Sequence, residues 1–378
     1  MQLTYLHIHN FKSIRSMEIR DIERALILVG KNNTGKTSVL DAICAVCGCY
    51  EIQDRDFNEN RQAIRIDVCF SIEEEDLHLF HHMGIVSQYR RYDVWRRVFS
   101  ERLPSFQNGE LSFTFHVNQD GKVRYEDLYR KNNPYIHMVM PRIYRINAER
   151  ELNQLQNDLL MFQENEELRR LRSGSCIFER AKKCNHCFQC IGLINQKKPE
   201  ELSAFETARL LEFKIYQMNL SGFSGKVNEN FFKNGGYEEI QYTLSCDVDQ
   251  LFTVEVTAHN RQRGTVKPVE LMGKGMRSIY MLSLLETYIS EQGRIPSIIV
   301  VEDPEIFLHP QLQKTCSEIL YRLSKKNQVI FKTHSPDLLF NFSIRQIRQV
   351  VLDDERYSVV RTRTNMSEIL DDLGYGAN

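Results

Sequence analysis

A glycine-rich segment between an apolar run and a helical pattern constrains the fold of this chain most. Residues 25–29 (ALILV) predict a buried strand, and a helix is expected from about Lys36 to Cys49. The intervening segment, GKNNTGKT, fits the pattern G-x-x-x-x-G-K-[ST], in which backbone N–H groups and the start of a helix converge on phosphate oxygens. The sequence therefore predicts an α/β fold with a phosphate-binding loop.

The residues of this loop have distinct expected roles. Lys36 is expected to reach the β- and γ-phosphates of ATP, and the hydroxyl of Thr37 to ligate Mg²⁺. Further contacts with the nucleotide are expected from the remaining loop residues, which are Gly30, Asn32, Asn33, Thr34, Gly35 and Ser38. A chance glycine-rich turn is the alternative, and the flanking strand and helix argue against it.

A second apolar run ends in adjacent carboxylates. Residues 298–301 (IIVV) predict a buried strand, which Pro304 would end because proline has no N–H to donate. We expect Glu302 to hold the metal and Asp303 to orient or deprotonate the attacking water. A strand followed by a solvated acidic turn is the alternative.

A third predicted strand, residues 329–332 (VIFK), is followed by His334. Ligands gather at the carboxyl ends of strands in open α/β sheets, so this imidazole is expected to hydrogen-bond a γ-phosphate or the attacking water. A purely structural histidine is the alternative.

These motifs, in this order, resemble those of ABC-type ATPases of the SMC and RecF group, and in particular the ATPase half of the OLD (overcoming lysogenization defect) family. The segments that carry the resemblance are NFKSI, GKNNTGKT, VVEDPEIFLHP and FKTHSP, within residues 1–50 and 265–375. It implies an ABC-type P-loop ATPase core in which ATP lies between two protomers. A homodimer or higher homo-oligomer is therefore expected.

The resemblance also implies a signature loop that contacts the γ-phosphate bound by the other protomer. The candidates are Gly273, Lys274 and Gly275, since glycines and a helix start can donate N–H groups. This loop lacks the Ser that precedes the glycines in the usual ABC pattern, and Lys274 is expected to supply charge instead. A plain loop-to-helix cap is the alternative. Asp303, where many relatives carry Glu, is a second departure and suits a slow switch.

The OLD architecture continues into a Toprim nuclease domain, which this chain is expected to lack. Standalone relatives in bacterial anti-phage systems such as PARIS and Septu work with a separate Toprim or HNH nuclease. The resemblance therefore implies a sensor or scaffold ATPase with a separate nuclease effector. The alternatives are a RecF-like repair ATPase that clamps DNA and a nucleotide-gated scaffold without significant hydrolysis.

The middle of the chain predicts an insertion into the ATPase. Helical spacing of apolar residues in 149–172 and 200–218 predicts a helical hairpin over residues 149–235, between ATPase parts at 1–148 and 236–378. Near its tip lie four cysteines that predict a structural zinc site, with an iron–sulfur cluster or unligated thiols as alternatives: Cys176, Cys184, Cys187 and Cys190.

Strand patterns elsewhere predict an antiparallel β lobe beside the nucleotide-binding core. The predicted strands of the lobe and of the rest of the chain are residues 3–9, 63–72, 111–117, 122–126, 143–147, 237–246 and 251–258. Arginines and aromatics mix in residues 89–97, which are either a DNA-contacting patch or a half-buried strand with one charged face.

Charge and hydropathy narrow the class of protein. The formal net charge of −1 excludes a globally basic DNA coat. No segment approaches the roughly 20 apolar residues of a membrane span, and the N-terminus is a strand pattern rather than an export signal. The ten cysteines are then expected to be thiols or metal ligands of a cytoplasmic protein.

Overall fold

The structure is a computed structural model that describes residues 1–59, 62–146, 167, 171, 176–178, 184–218, 221–242, 256–262, 264–291, 297–306, 308–361 and 365–375. The chain divides into two compact units. The first comprises Met1–Leu152 and Val269–Asn378, and the second comprises Asn153–Pro268.

Most of the described strands lie in the first unit. In chain order they are β1 (Gln2–Phe11), β2 (Ile14–Ile19), β3 (Ala25–Val29), β4 (Ile64–Ser71), β5 (Phe106–Gln107), β6 (Glu110–Val117), β7 (Val123–Glu126), β8 (Arg142–Ile146), β9 (Thr257–Asn260), β10 (Thr265–Pro268), β11 (Ser297–Glu302), β12 (Gln328–Lys332), β13 (Ile347–Leu352) and β14 (Ser358–Val360). Of these, only the short pair β9 and β10 belongs to the second unit within the described residues.

The helices are α1 (Lys36–Val46), α2 (Glu74–His82), α3 (Tyr92–Arg102), α4 (Pro134–Val139), α5 (Ile191–Ile194), α6 (Ala204–Tyr216), α7 (Ser221–Lys233), α8 (Lys274–Glu291), α9 (Pro310–Lys326) and α10 (Met366–Asp372). The predicted helix after the glycine-rich loop is confirmed, although it ends at Val46 rather than Cys49. Each helix in the described part of the chain is too short or too polar to cross a bilayer.

A mixed sheet has the strand order β14-β13-β3-β12-β11-β8. Its five strands from β13 to β8 pair in parallel, and β14 pairs antiparallel with β13. All residues of β3 and β11 are buried, as expected for continuous apolar runs covered on both faces. The predicted strands at 25–29, 298–301 and 329–332 are therefore confirmed.

The predicted antiparallel lobe is a second sheet, with the order β2-β1-β4-β6-β5 and with β7 on β6. Burial alternates along β4, where Ile64, Ile66, Val68 and Phe70 are buried and the residues between them are more exposed. The period of two therefore turns one face of this sheet toward the core and leaves the other accessible to solvent.

The two sheets of the first unit share one hydrophobic core with α1. Leu6, Leu28, Val39 and Phe70 are among its fully buried members. The buried amide of Gln328 also joins the sheets: its Oε1 accepts from the N–H of Leu3 at 2.9 Å, and its Nε2 donates to the Leu3 carbonyl at 2.7 Å. This polar side chain satisfies backbone groups of β1 that would otherwise be buried without partners.

The second unit contains one of the two helices predicted within residues 149–235. The helix expected within 200–218 is α6, which begins at a capping box formed by Ser203 and Glu206. The helix predicted over 149–172 lies outside the described residues except for Glu167 and Leu171, so the hairpin stays a prediction.

Strands were predicted over residues 237–246 and 251–258. The first prediction is wrong for residues 237–242, which do not form a strand. Residues 243–255 lie outside the described residues. Of the strand predicted over 251–258, Thr257 and Ala258 belong to β9, which pairs antiparallel with β10, whereas residue 256 is not in a strand.

The half-buried strand proposed for residues 89–97 is wrong, because Tyr92–Arg102 is a helix. Tyr92, Trp95 and Phe99 recur at helical spacing and pack as a row of rings, a period that a short window conceals. Trp95 is fully buried and Arg91 pairs with Asp93 at 2.6 Å. The Trp95 ring is therefore not accessible to a nucleic-acid base.

Candidate functional site

The candidate site forms where three parallel strands end side by side. Lys332 of β12 is opposite Leu28 of β3 on one side and Glu302 of β11 on the other. The glycine-rich loop leaves β3 two residues after Leu28, at Gly30. The motifs are thus far apart in sequence and meet at one edge of the sheet, as expected for an α/β fold.

Two glycines of the loop have positive φ angles that other residues rarely adopt. Gly30 has φ +142°, and a Cβ placed there would lie 2.2 Å from the carbonyl oxygen of Val350. Gly35 has φ +95° and caps α1, and a Cβ on it would lie 2.1 Å from Ser358 Oγ. These positions require glycine because both the backbone conformation and the adjacent strands exclude a side chain.

The Lys36 side chain folds back onto its own loop and is only 5% exposed. Its Nζ donates to the carbonyl oxygens of Gly30 at 2.9 Å and Lys31 at 2.6 Å. Burial, and after it the neighbouring Lys332 ammonium, lower the pKa of Lys36 to about 8. A polyanion bound by the loop would offer this ammonium the compensating charge that the protein alone does not supply.

The Lys332 ammonium lies among three oxygen-bearing side chains. Its Nζ donates to Thr37 Oγ1 at 2.8 Å and lies 3.3 Å from Glu302 Oε2 and 3.0 Å from Asp303 Oδ2. Hydroxyl and carboxylate oxygens are the ligands that Mg²⁺ prefers. Because these groups already surround one positive charge, they fit a magnesium ion at the same place.

Asp303 has a left-handed backbone with φ +44°, between the end of β11 and Pro304. Its N–H donates to the carbonyl of Lys332 at 3.1 Å, which extends the pairing of β11 with β12 by one residue. Asp tolerates this conformation better than bulkier residues do. The turn presents the Asp303 carboxylate beside that of Glu302.

His334 and Glu305 are joined through the backbone. The N–H of His334 donates to Glu305 Oε1 at 2.6 Å. Burial raises the pKa of Glu305, and the backbone N–H only partly opposes this rise. Burial and the nearby Lys36 ammonium lower the pKa of His334, so its half-buried imidazole is neutral at pH 7.

An arginine links the acidic strand to the first helix. Arg145 donates to Glu302 Oε1 from Nε at 2.9 Å and from Nη2 at 2.7 Å, and its Nη2 lies 2.6 Å from Asp41 Oδ1. Lys12 donates to the other Asp41 oxygen at 2.5 Å. Sequence reasoning gave none of these links. The local signals were a basic residue near the end of a predicted strand and a carboxylate on the buried side of α1.

The remaining predicted nucleotide contacts occupy different settings. Thr34 is buried and donates to the Lys31 carbonyl at 2.9 Å, and the Ser38 hydroxyl is 3.5 Å from that of Ser13. Asn32 and Asn33 are exposed on the loop. The roles of all loop residues stay predictions.

The predicted signature loop lies at the start of α8. Gly273 and Lys274 are exposed and Gly275 is half-buried. The carbonyls of Gly273 and Lys274 accept hydrogen bonds from Arg277 and Ser278, so they belong to the first turn of the helix. A role for these three residues stays a prediction.

The four cysteines of the second unit are not assembled into a metal site. In the part of the chain that the structure describes, no three of their sulfurs lie within 4.8 Å of one another. Cys190 is buried in an apolar cluster with Ile191 and Ile194, whereas Cys187 is exposed. Packing of Cys190 as a small apolar side chain is the physical reason. The structure thus gives no support to the predicted zinc site at Cys176, Cys184, Cys187 and Cys190.

Comparison with known proteins agrees with this geometry. A family model described as AAA ATPase domain matches residues 1–339. The OLD nuclease of Thermus scotoductus is 28% identical over 116 residues, which are 30% of this chain and 22% of the nuclease. An uncharacterized protein of Methanocaldococcus jannaschii is 26% identical over 113 residues, which are 29% of each chain. These matches span less than a third of either relative.

Among solved structures, the Smc head domain with an extended coiled coil from Pyrococcus furiosus is similar with a TM-score of 0.53. The alignment covers 99% of this chain and 98% of the other, at 15% sequence identity. At this identity the likeness concerns the fold alone, an α/β arrangement with mixed sheets.

The lowered pKa of Lys36 predicts a pH-dependent affinity for nucleotide. Above about pH 8 the free protein loses the Lys36 proton, whereas bound phosphates favour the charged form. ATP affinity should therefore fall by up to about tenfold per pH unit between pH 8 and 9.5. Isothermal titration calorimetry checks this, with Lys36→Arg as the control that stays charged. A level profile in the wild type, or an equal fall in Lys36→Arg, would contradict the assignment.

Proposed function

Because the chain belongs to the AAA ATPase domain family, we propose that it binds Mg-ATP at the Gly30–Thr37 loop and hydrolyses it slowly. We further propose that it pairs with a second copy around ATP and so controls a separate nuclease in anti-phage defence. The observation that carries the ATPase part is the meeting of Thr37, Glu302 and Asp303 around one cation position. These groups come from two segments about 265 residues apart in sequence, the start of α1 and the end of β11, which argues against a chance acidic turn.

The loop and Lys36 bind the triphosphate in this proposal. Lys36 leaves the carbonyls of Gly30 and Lys31 and moves onto the β- and γ-phosphate oxygens, while the N–H groups at the start of α1 donate to the same phosphates. Thr37 and Glu302 would hold Mg²⁺, which when bound neutralises charge on those oxygens.

Asp303 and His334 act on the attacking water. The Asp303 carboxylate orients the water and accepts its proton as the oxygen attacks the γ-phosphorus, and the bond to the β-phosphate oxygen breaks to release ADP. The neutral His334 imidazole hydrogen-bonds the γ-phosphate. Glu305 positions His334 by accepting its backbone N–H.

Slow turnover follows from the groups around Asp303. Its side chain is one methylene shorter than Glu, and its carboxylate pairs with Lys332. That ion pair must rearrange before Asp303 can accept a proton. A slow hydrolytic step suits a switch whose ATP-bound state persists.

The Gly273–Gly275 loop supports pairing with a second copy. Gly273 and Lys274 of this loop are exposed at the start of an 18-residue helix, α8. Leu271 and Met276, on either side of it, are 69% and 49% exposed, so apolar surface flanks the loop. In the proposed pair, this loop donates N–H groups to the γ-phosphate held by the other copy.

The proposed nuclease partner rests on likeness to OLD proteins. The relative from Thermus scotoductus is itself named a nuclease. As in the PARIS and Septu systems that the chain resembles, we propose that the nuclease is a separate Toprim or HNH protein. The ATP-bound pair would then restrain or license it.

Hydrolysis tests the ATPase part of the proposal. We expect Asp303→Asn and Glu302→Gln each to lower phosphate release by about 100-fold or more, because each removes a carboxylate that acts on the water or the metal. Asp303→Asn should still bind ATP. Glu318→Gln, a change to an exposed carboxylate on α9, is the matched control and should hydrolyse at the wild-type rate. Variants as active as the wild type would refute the assignment.

Affinity purification from the native host tests the effector part. Tagged Asp303→Asn, held in its ATP-bound state, should retain a Toprim or HNH nuclease. Tagged Lys36→Ala, which cannot hold ATP, should retain at least several-fold less, as measured by quantitative mass spectrometry. Recovery of DNA-repair proteins without a nuclease, or equal recovery by both variants, would contradict the proposed effector.

A further inference from the structure

Two histidines and an aspartate lie together on the solvent-facing side of the antiparallel sheet. His7 and His9 alternate along β1 with Leu6 and Ile8, which are fully buried. Both imidazoles therefore project from the face opposite the core. Asp67 of β4 is the direct cross-strand partner of His7, so its carboxylate projects from the same face.

The three side chains converge closely enough to share one ion. One ligand atom from each lies within 4.8 Å of the other two. His9 Nε2 is 3.8 Å from Asp67 Oδ2, and the two imidazole centroids are 3.9 Å apart. All three residues are half-buried, so bulk water screens the group less than it screens an exposed cluster.

Neighbouring residues already orient the prospective ligands. Asp67 Oδ1 accepts from Arg65 Nε at 3.0 Å and from the Thr114 hydroxyl, which directs Oδ2 toward His9. Ser16 Oγ is 3.0 Å from His7 Nε2 and holds that ring. Outer hydrogen bonds of this kind set the orientation of metal-binding side chains.

We propose that His7, His9 and Asp67 bind a divalent transition-metal ion, with Zn²⁺ as the best match. Two imidazoles and one carboxylate are a donor set found in three-ligand zinc sites that leave a further position for water. Mg²⁺ and Ca²⁺ are disfavoured because they prefer oxygen ligands. This site is separate from the nucleotide-binding residues and does not depend on the proposed ATPase mechanism.

Local charge predicts a moderate affinity. The Arg65 guanidinium beside Asp67 opposes a second positive charge. Glu18, the cross-strand partner of His7 on the other side, pairs with Arg20 at 2.8 Å, so it offsets little of this repulsion. A bound ion would join β1 to β4 and stabilise the sheet against unfolding in proportion to its occupancy.

Calorimetry of the full chain without nucleotide tests the site. The chain carries Cys→Ser at positions 176, 184, 187 and 190, so that these thiols cannot bind the added ion. After chelator treatment and removal of the chelator, ZnCl₂ should bind at one ion per chain. Co²⁺ should give visible absorption bands without the charge-transfer band of a thiolate.

Single substitutions then assign the ligands. His7→Gln and His9→Gln, which keep side-chain size, should each weaken Zn²⁺ binding by at least about 100-fold, and Thr114→Val by about tenfold. His116→Ala is the matched control because His116 lies on the same face, opposite Arg65, outside the cluster. Circular dichroism confirms that each variant is folded.

The outcomes separate clearly. Stoichiometric binding that is lost in His7→Gln and His9→Gln and kept in His116→Ala supports the site. Absence of Zn²⁺ binding in the Cys→Ser chain overturns it. So does binding that survives both histidine substitutions, or that His116→Ala abolishes equally.

Discussion

Parallel pairing of β3, β12 and β11 is the constraint on which the candidate site depends. It sets Leu28, Lys332 and Glu302 at one level, two residues before the glycine-rich loop begins. Hydrogen bonds of the ladder fix this level, and a one-residue shift would move every side chain of a strand to the opposite face of the sheet. The positions of Thr37, Asp303 and His334 all follow from it.

Charge compensation is the second requirement of the site. Glu302 is buried and contacts two cations, Lys332 and Arg145. Arg145 also pairs with Asp41 of α1, so the strand and the helix that follows the loop are joined by one network. Removal of one member would leave a buried carboxylate or guanidinium with only one of its two partners, so its desolvation would be less well compensated. The Lys332 ammonium thus contacts Thr37 and Glu302, the two residues that would hold Mg²⁺ in the proposed mechanism.

Local patterns predicted the elements well, whereas contacts between distant segments could not be predicted. The glycine-rich loop, β11 and β12 each depend on the sequence of a few consecutive residues, so their existence and their order along the chain could be predicted. The role of Lys332 depends on the register between β12 and its neighbours, and Lys332 lies 295 residues from Thr37 in sequence. The role of Arg145 depends on the pairing of β8 with β11. For residues 89–97 the local pattern itself was misleading: it allowed a strand, and the helical period becomes visible only when Phe99 is included. The spacing of the cysteines predicted a metal site, but it does not determine which sulfurs turn toward one another.

Lys332 occupies the cation position of the candidate site. Mn²⁺ binding to the protein without nucleotide, measured by electron paramagnetic resonance, tests this most directly. Lys332→Met frees Thr37, Glu302 and Asp303 from the ammonium, so it should bind Mn²⁺ at least about tenfold more tightly than the wild type, whose ammonium repels a second cation. Adding Glu302→Gln to Lys332→Met should abolish the gain, which locates the ion. Equal Mn²⁺ affinity in the wild type and Lys332→Met, or a gain that survives Glu302→Gln, would contradict the account.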